Sequence, residues 1–157
     1  MQKAMEHLVS ALLSSSGVLS LDVCRALTEC VEEKARAAGV NAVIAVCDAG
    51  GNPISVQCMD DAYLASYDIA LNKAYTAVAL KMTTKTLSVP AQPGGSLYGI
   101  QFTNNGKIVI FGGGVPLYNK EGVIVGGLGV SGGTEEQDTA LGDFGGSLFT
   151  ACQKNLK

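Results

Sequence analysis

The sequence predicts an α/β (α+β) fold: a five-stranded antiparallel sheet with helices packed against it. Three observations carry that expectation. Short apolar runs are separated by turn residues, "NAVIAVCDAGGNPISVQCMD" among them, which is hairpin chemistry. Proline- and glycine-free stretches with helical periodicity lie between those runs. The connections, finally, are too short for the crossovers that parallel strands need.

In chain order, "MQKAMEHLVSALL" places Ala4, Met5, Leu8, Val9, Leu12 and Leu13 on one apolar stripe of a helix. "SSSG" then has linker composition. Residues 1–17 therefore read as an amphipathic helix plus linker, and 18–157 as the folded domain. Such a helix is marginal alone. It packs on its own domain or oligomer, or it docks a partner.

Ser20 is placed to cap a second helix, which Gly39 ends. Asn41 to Asp60 reads as a β-hairpin. Leu64 to Lys81 is alanine-rich and helical, with Ala70, Ala74 and Ala77 allowing close packing on the sheet. "TTKTLSVPAQPGGSLYG" contains two prolines and paired glycines and is expected to be a long loop. "KIVIF", "VPLYN" and "VIVGGLGV" read as three further strands. Thr134 and Gln137 form a T-x-x-Q capping box opening the last helix, whose later part is weakened by three glycines.

Phe111 to Asp138 holds nine of the chain's 20 glycines, including a G-x-G-x-x-G at 127–132. That fingerprint needs a second strand and a ribose-binding acid about 20 residues on. Only 25 residues follow Gly132, and they read as one helix. No nucleotide site is expected, and the glycines are assigned to bends and close crossings in the sheet.

The bulk numbers exclude other classes. The chain has 157 residues, 47% hydrophobic and 16% charged, which suits one globular domain. A net charge of −3 with 11 Lys+Arg and no basic cluster argues against nucleic acid. No apolar run approaches a membrane span. Five cysteines, Cys24, Cys30, Cys47, Cys58 and Cys152, form no C-x-x-C and suit a reducing, cytoplasmic setting.

Candidate chemistry is sparse, because the one histidine, His7, gives no Ser-His-Asp set. Glu29 and Glu32, with Glu33, form an E-x-x-E that reads as a solvated face or a shared metal site. Lys73, among alanines, faces the packed side, where a lysine needs a partner. Asp60 or Asp138 is its expected ion-pair partner, and Asp60 with Lys73 is the alternative acid/base pair. Gly112, Gly113 and Gly114 offer a backbone nest for an anion, whereas Glu135 and Glu136 already occupy the positive end of the last helix. Cys58 and Met59 sit together at a strand end, so one of them points inward.

"MDDAYLASYDIALNKAYTAVALK", "QPGGSLYGIQFTNNGKIVIFGGGVPLY" and "VGGLGVSGGTEEQD" resemble the GlcG/HbpS-like family, including OrfY-type proteins and the C-terminal domain of PduO-type adenosyltransferases. The resemblance runs from about Leu19 to at least Asp138. It implies a profilin-like fold, a homo-oligomer (tetramer or octamer), and haem binding in several members. It also implies a diol- or alcohol-utilising bacterial microcompartment, with residues 1–17 as an encapsulation peptide for a shell protein. Haem-binding relatives are implied to use a histidine near the start of the domain. Here only His7 is available, ahead of the matching region, so Cys58 and Met59 are the other candidate iron ligands. Met59, Asp60, Lys73, Gly112, Gly113, Gly114, Gln137 and Asp138 are the candidate ligand-binding residues. The expected function is an oligomeric binding module for haem or a small carboxylate-bearing metabolite. The alternatives are an enzyme or enzyme-assisting factor acting on a diol- or aldehyde-derived metabolite, and a scaffold tethered to a shell.

Overall fold

The computed structural model describes residues 1–156. In chain order the elements are α1 (Gln2–Ser14), α2 (Leu21–Ala37), β1 (Val43–Asp48), β2 (Pro53–Cys58), α3 (Leu64–Leu80), α4 (Thr84–Ser88), β3 (Gly114–Tyr118), β4 (Ile124–Ser131) and α5 (Glu135–Lys154). The four strands form one antiparallel sheet in the order β2-β1-β4-β3. Helix α3 covers one face, and α2 and α5 cover the other.

Local signals explain most boundaries. Ser20 Oγ accepts the Val23 N–H and starts α2. The Thr134–Gln137 box is fully formed at α5. Asp48 Oδ1 accepts the Gly50 and Asn52 N–H groups and shapes the β1–β2 turn. Ile44 and Val46 point into the main core with Leu27, Val31, Leu128 and Phe149. Val43 and Ala45, one residue out of phase, pack under Ala70 of α3.

The glycines of β4 set the spacing of the layers. A Cβ on Gly127 would overlap the Ala74 carbonyl, and one on Gly129 the Ala70 carbonyl. Helix α3 therefore lies with its alanine stripe directly on strand backbone, a separation that side chains on β4 would forbid. The three glycines of α5 do not interrupt it. Gly142 faces the Gly113 carbonyl, while Gly145 abuts Leu128 and Val31.

Two sequence expectations are corrected. "KIVIF" is not a strand, so the sheet has four strands among the described residues, not five. The Val109 N–H is taken by Thr76 Oγ1 on α3. The outer edge of β3 is meanwhile blunted, because the Gly114 N–H donates to Thr84 Oγ1 and Pro116 has no N–H. The expected loop after α3 also holds a short helix, α4, capped by Thr83.

The linker reading of 14–17 changes as well. Ser15 to Gly17 form a tight turn, and buried Gln153 of α5 donates to the Gly17 carbonyl at 2.7 Å. Helix α1 lies on α2 and α5, burying Ala4, Leu8, Ala11 and Leu12.

Candidate functional site

Lys73 is fully buried. The close approach of α3 to β4 leaves its side chain no route to water, and it turns toward the N-terminus of α5. There its Nζ lies 2.8 Å from Asp138 Oδ2 and 2.8 Å from the Val130 carbonyl, with the Phe111 ring centroid at 5.0 Å. Burial lowers its pKa, and the Asp138 carboxylate opposes that shift. Asp138, itself 4% exposed, accepts the Gly133 N–H on its other oxygen at 2.8 Å. Of the two expected partners, the structure brings Asp138 to Lys73. Asp60 is exposed in the turn after β2.

The Gly112–Gly114 run lies beside this pair. Two of its three N–H groups are engaged: Gly112 donates to Glu135 Oε1 at 3.1 Å and Gly114 to Thr84 Oγ1 at 2.9 Å. Gly113 has φ +118°, and a Cβ there would stand 2.8 Å from Lys73 Nζ. Glu135 also meets Lys85 at 3.0 Å. That ammonium, with the Gly112 N–H, holds its carboxyl below the usual range. Gln137 spends its side chain on the Thr134 N–H. Side chains of the protein itself thus take two of the three donors of the glycine run.

His7 bridges two helices instead of facing a ligand. Its Nδ1 lies 2.9 Å from Glu29 Oε2 and its Nε2 3.4 Å from Asp22 Oδ1, both on α2. These carboxylates raise its pKa, the Glu29 hydrogen bond foremost. Both ring nitrogens thus face carboxylates of α2, and iron could reach either one only by displacing such a contact. The E-x-x-E is divided too, since Glu29 serves His7 and Glu32 serves Arg36 and Gln57. Among the described residues no group of three or more His, Cys, Asp or Glu is arranged to hold a metal ion.

At the end of β2 the two sulfurs part. Met59 is buried, its Sδ accepting the Ala42 N–H at 3.3 Å. Cys58 is exposed. Cys58 pairs with Val43 across the ladder, and Val43 packs under α3, so the thiol lies on the α3 face. The flank of α3 above β2 is apolar: Leu71 and Val56 pack on the same small cluster, and Tyr67 lies one turn earlier, half exposed. Leu64, at 95% exposure, stands just ahead of Tyr67 on α3, whereas Tyr63 lines a separate recess with Asn41, Gly132 and Gln137. The sequence reading missed these residues. Their signal was the apolar spacing 64, 67, 71, which flanks the alanine stripe of α3.

The family model described as haem degrading protein HbpS-like matches residues 19–145. The chain belongs to the HbpS-like family. A crystal structure of the Klebsiella pneumoniae protein ORFY is similar at 44% identity and TM-score 0.80, over 83% of this chain and 90% of that one. A crystal structure of a PduOC:heme complex is similar at 41% identity and TM-score 0.74, over 78% and 88%. The corrinoid adenosyltransferase PduO of Citrobacter freundii is 39% identical over 147 residues, 90% of this chain but 44% of the enzyme. The HbpS-like chain thus spans less than half of that relative.

Val56, Tyr67 and Leu71 give the α3–β2 face an apolar strip, and the exposed Cys58 lies on the same side of the sheet. Leu64 and Tyr67 stand open on α3 and Cys58 is exposed on β2; a thiol and a phenol are both competent iron ligands. His7 and Met59, the alternatives, are engaged elsewhere.

Proposed function

We propose that the protein is an oligomeric binding module that holds haem or a related tetrapyrrole against the α3–β2 face, in a diol- or alcohol-utilising bacterial microcompartment. The observation carrying this reading is the apolar α3–β2 flank of Val56, Tyr67 and Leu71, with exposed Cys58 on the same side of the sheet. Likeness to the PduOC:heme complex supports the ligand class, and likeness to PduO supports the setting. When bound, the tetrapyrrole supplies the redox-active iron. The protein supplies apolar contact area, with Cys58 or a phenol as ligand. A small carboxylate is the poorer ligand, because the buried cation, Lys73, is already paired. An acid/base enzyme using Asp60 with Lys73 would need two residues that the fold separates.

The test is a haem titration followed by visible absorbance, on the wild type, His7→Ala, Cys58→Ser and a chain lacking residues 1–17. A saturable Soret band is expected in the wild type, in His7→Ala and in the truncated chain, with a shifted or weakened band in Cys58→Ser. Absence of saturation, or loss on replacing His7, overturns the reading.

A second feature favours docking to a shell through residues 1–17. Helix α1 keeps Met5, Val9 and Leu13 exposed although its other apolar residues are buried.

A further inference from the structure

At 3.6 residues per turn, the apolar residues of α1 cover an arc of roughly 200°, about twice the stripe that seats a helix on a domain. The inner half, Ala4, Leu8, Ala11 and Leu12, is buried. The outer half, Met5, Val9 and Leu13, is exposed, with Met1 continuing the row. The helix is fixed in this orientation from two sides. His7 ties it to Asp22 and Glu29 of α2, and Gln153 pins the turn at its end. Gln2, Glu6 and Ser10 border the outer row, Gln2 donating to Glu6 at 3.0 Å. All of α1 lies before residue 19, where the family match begins.

We propose that α1 docks its partner while still folded on its own domain, through the outer row Met5, Val9 and Leu13. The partner surface is an apolar, helix-accepting groove bordered by a basic or amide donor that meets Glu6. This rests on the shell-docking reading above and replaces a released peptide with a helix presented in place. Other occupants fit less well. The row offers roughly 350 Å², under half of the ~800 Å² per partner of a stable interface, so two copies are not held by it alone. A lipid surface needs a basic polar face, and α1 has only Lys3 against Glu6. A contact this small gains strength by repetition, when an oligomer presents several helices to a repeating protein surface.

The experiment uses shells purified from cells making a diol-utilising microcompartment, mixed with wild type, Val9→Glu/Leu13→Glu, Glu6→Lys, or a chain lacking residues 1–17. Co-sedimentation is measured beside hydrogen exchange of the α1 amides. The outer-row pair is expected to lose about tenfold or more in binding, and Glu6→Lys several-fold, with α1 protection unchanged. Should glutamates loosen α1, the pair Val9→Ser/Leu13→Ser serves in their place. Wild-type binding by the outer-row variant, with loss only on deletion, overturns this inference and leaves shell docking standing. Retention after deletion, or no association of the wild type, overturns shell docking itself.

Discussion

Replacing Lys73 by methionine tests the central packing argument. Methionine keeps the aliphatic stem but removes two hydrogen bonds, to Asp138 Oδ2 and the Val130 carbonyl. Asp138, buried, then keeps only the Gly133 N–H. Breaking a buried pair by removing one partner costs about 3–5 kcal/mol, because the charge left behind has lost its water and its counter-ion. At about 2–4 °C per kcal/mol for a domain of this size, Tm should fall by roughly 10 °C. Urea unfolding at fixed protomer concentration gives the free energy, since any oligomer makes stability concentration-dependent. The double variant Lys73→Met/Asp138→Asn removes the orphaned charge and should recover about 2 kcal/mol relative to the sum of the single losses. A loss below about 1 kcal/mol for Lys73→Met, or strict additivity in the cycle, would refute the pairing.

Three further outcomes follow from the same geometry. Gly129→Ala should cost about 1–3 kcal/mol or more, since its Cβ meets the backbone of Ala70 and Ala74. Gly39→Ala, at φ +68° with open space around it, should cost only about 1 kcal/mol; equal effects in urea unfolding would contradict the close-crossing account. Under native conditions Cys58 should react first with a thiol reagent, while Cys24, Cys30 and Cys47 wait for unfolding, their thiols pushed by burial to about 12, 11 and 11. His7, raised by Glu29 and Asp22, contributes stability that is whole below pH 6.5 and lost as pH rises through its higher folded value. With its side chain 39% exposed, it contributes under about 1 kcal/mol, so wild type and His7→Ala should differ in Tm at pH 6 and converge at alkaline pH.

How far the sequence could be read depended on the range of the forces involved. Ser20, Thr134 and the Asp48–Asn52 turn act within four residues, so their chemistry is legible locally. "KIVIF" has strand composition, but a strand also needs a partner edge. The neighbouring edge is consumed by Thr84 and Pro116, and Thr76 claims the Val109 N–H. The need of Lys73 for a counter-ion was visible in its alanine setting, while the choice of Asp138, 65 residues away, was settled by topology. For α1 the stripe was legible as one apolar face. Only the packed structure divides it into a buried and an open half.

That division bears on where ligands bind. The glycine-rich segment attracts attention because glycine and a helix N-terminus together suggest an anion cradle. Here two of the three donors of the run are taken from within. Three acids enter the first turn of α5, where the helix dipole favours them, and two of them turn back onto the chain. Asp138 neutralises Lys73, while Glu135 takes the Gly112 N–H and Lys85. An incoming anion would have to displace carboxylates already held by charge and hydrogen bonds. Replacing Gly112, Gly113 or Gly114 should therefore disturb folding before it disturbs any ligand. Cys58 on the α3–β2 face and the outer row of α1, by contrast, stay exposed.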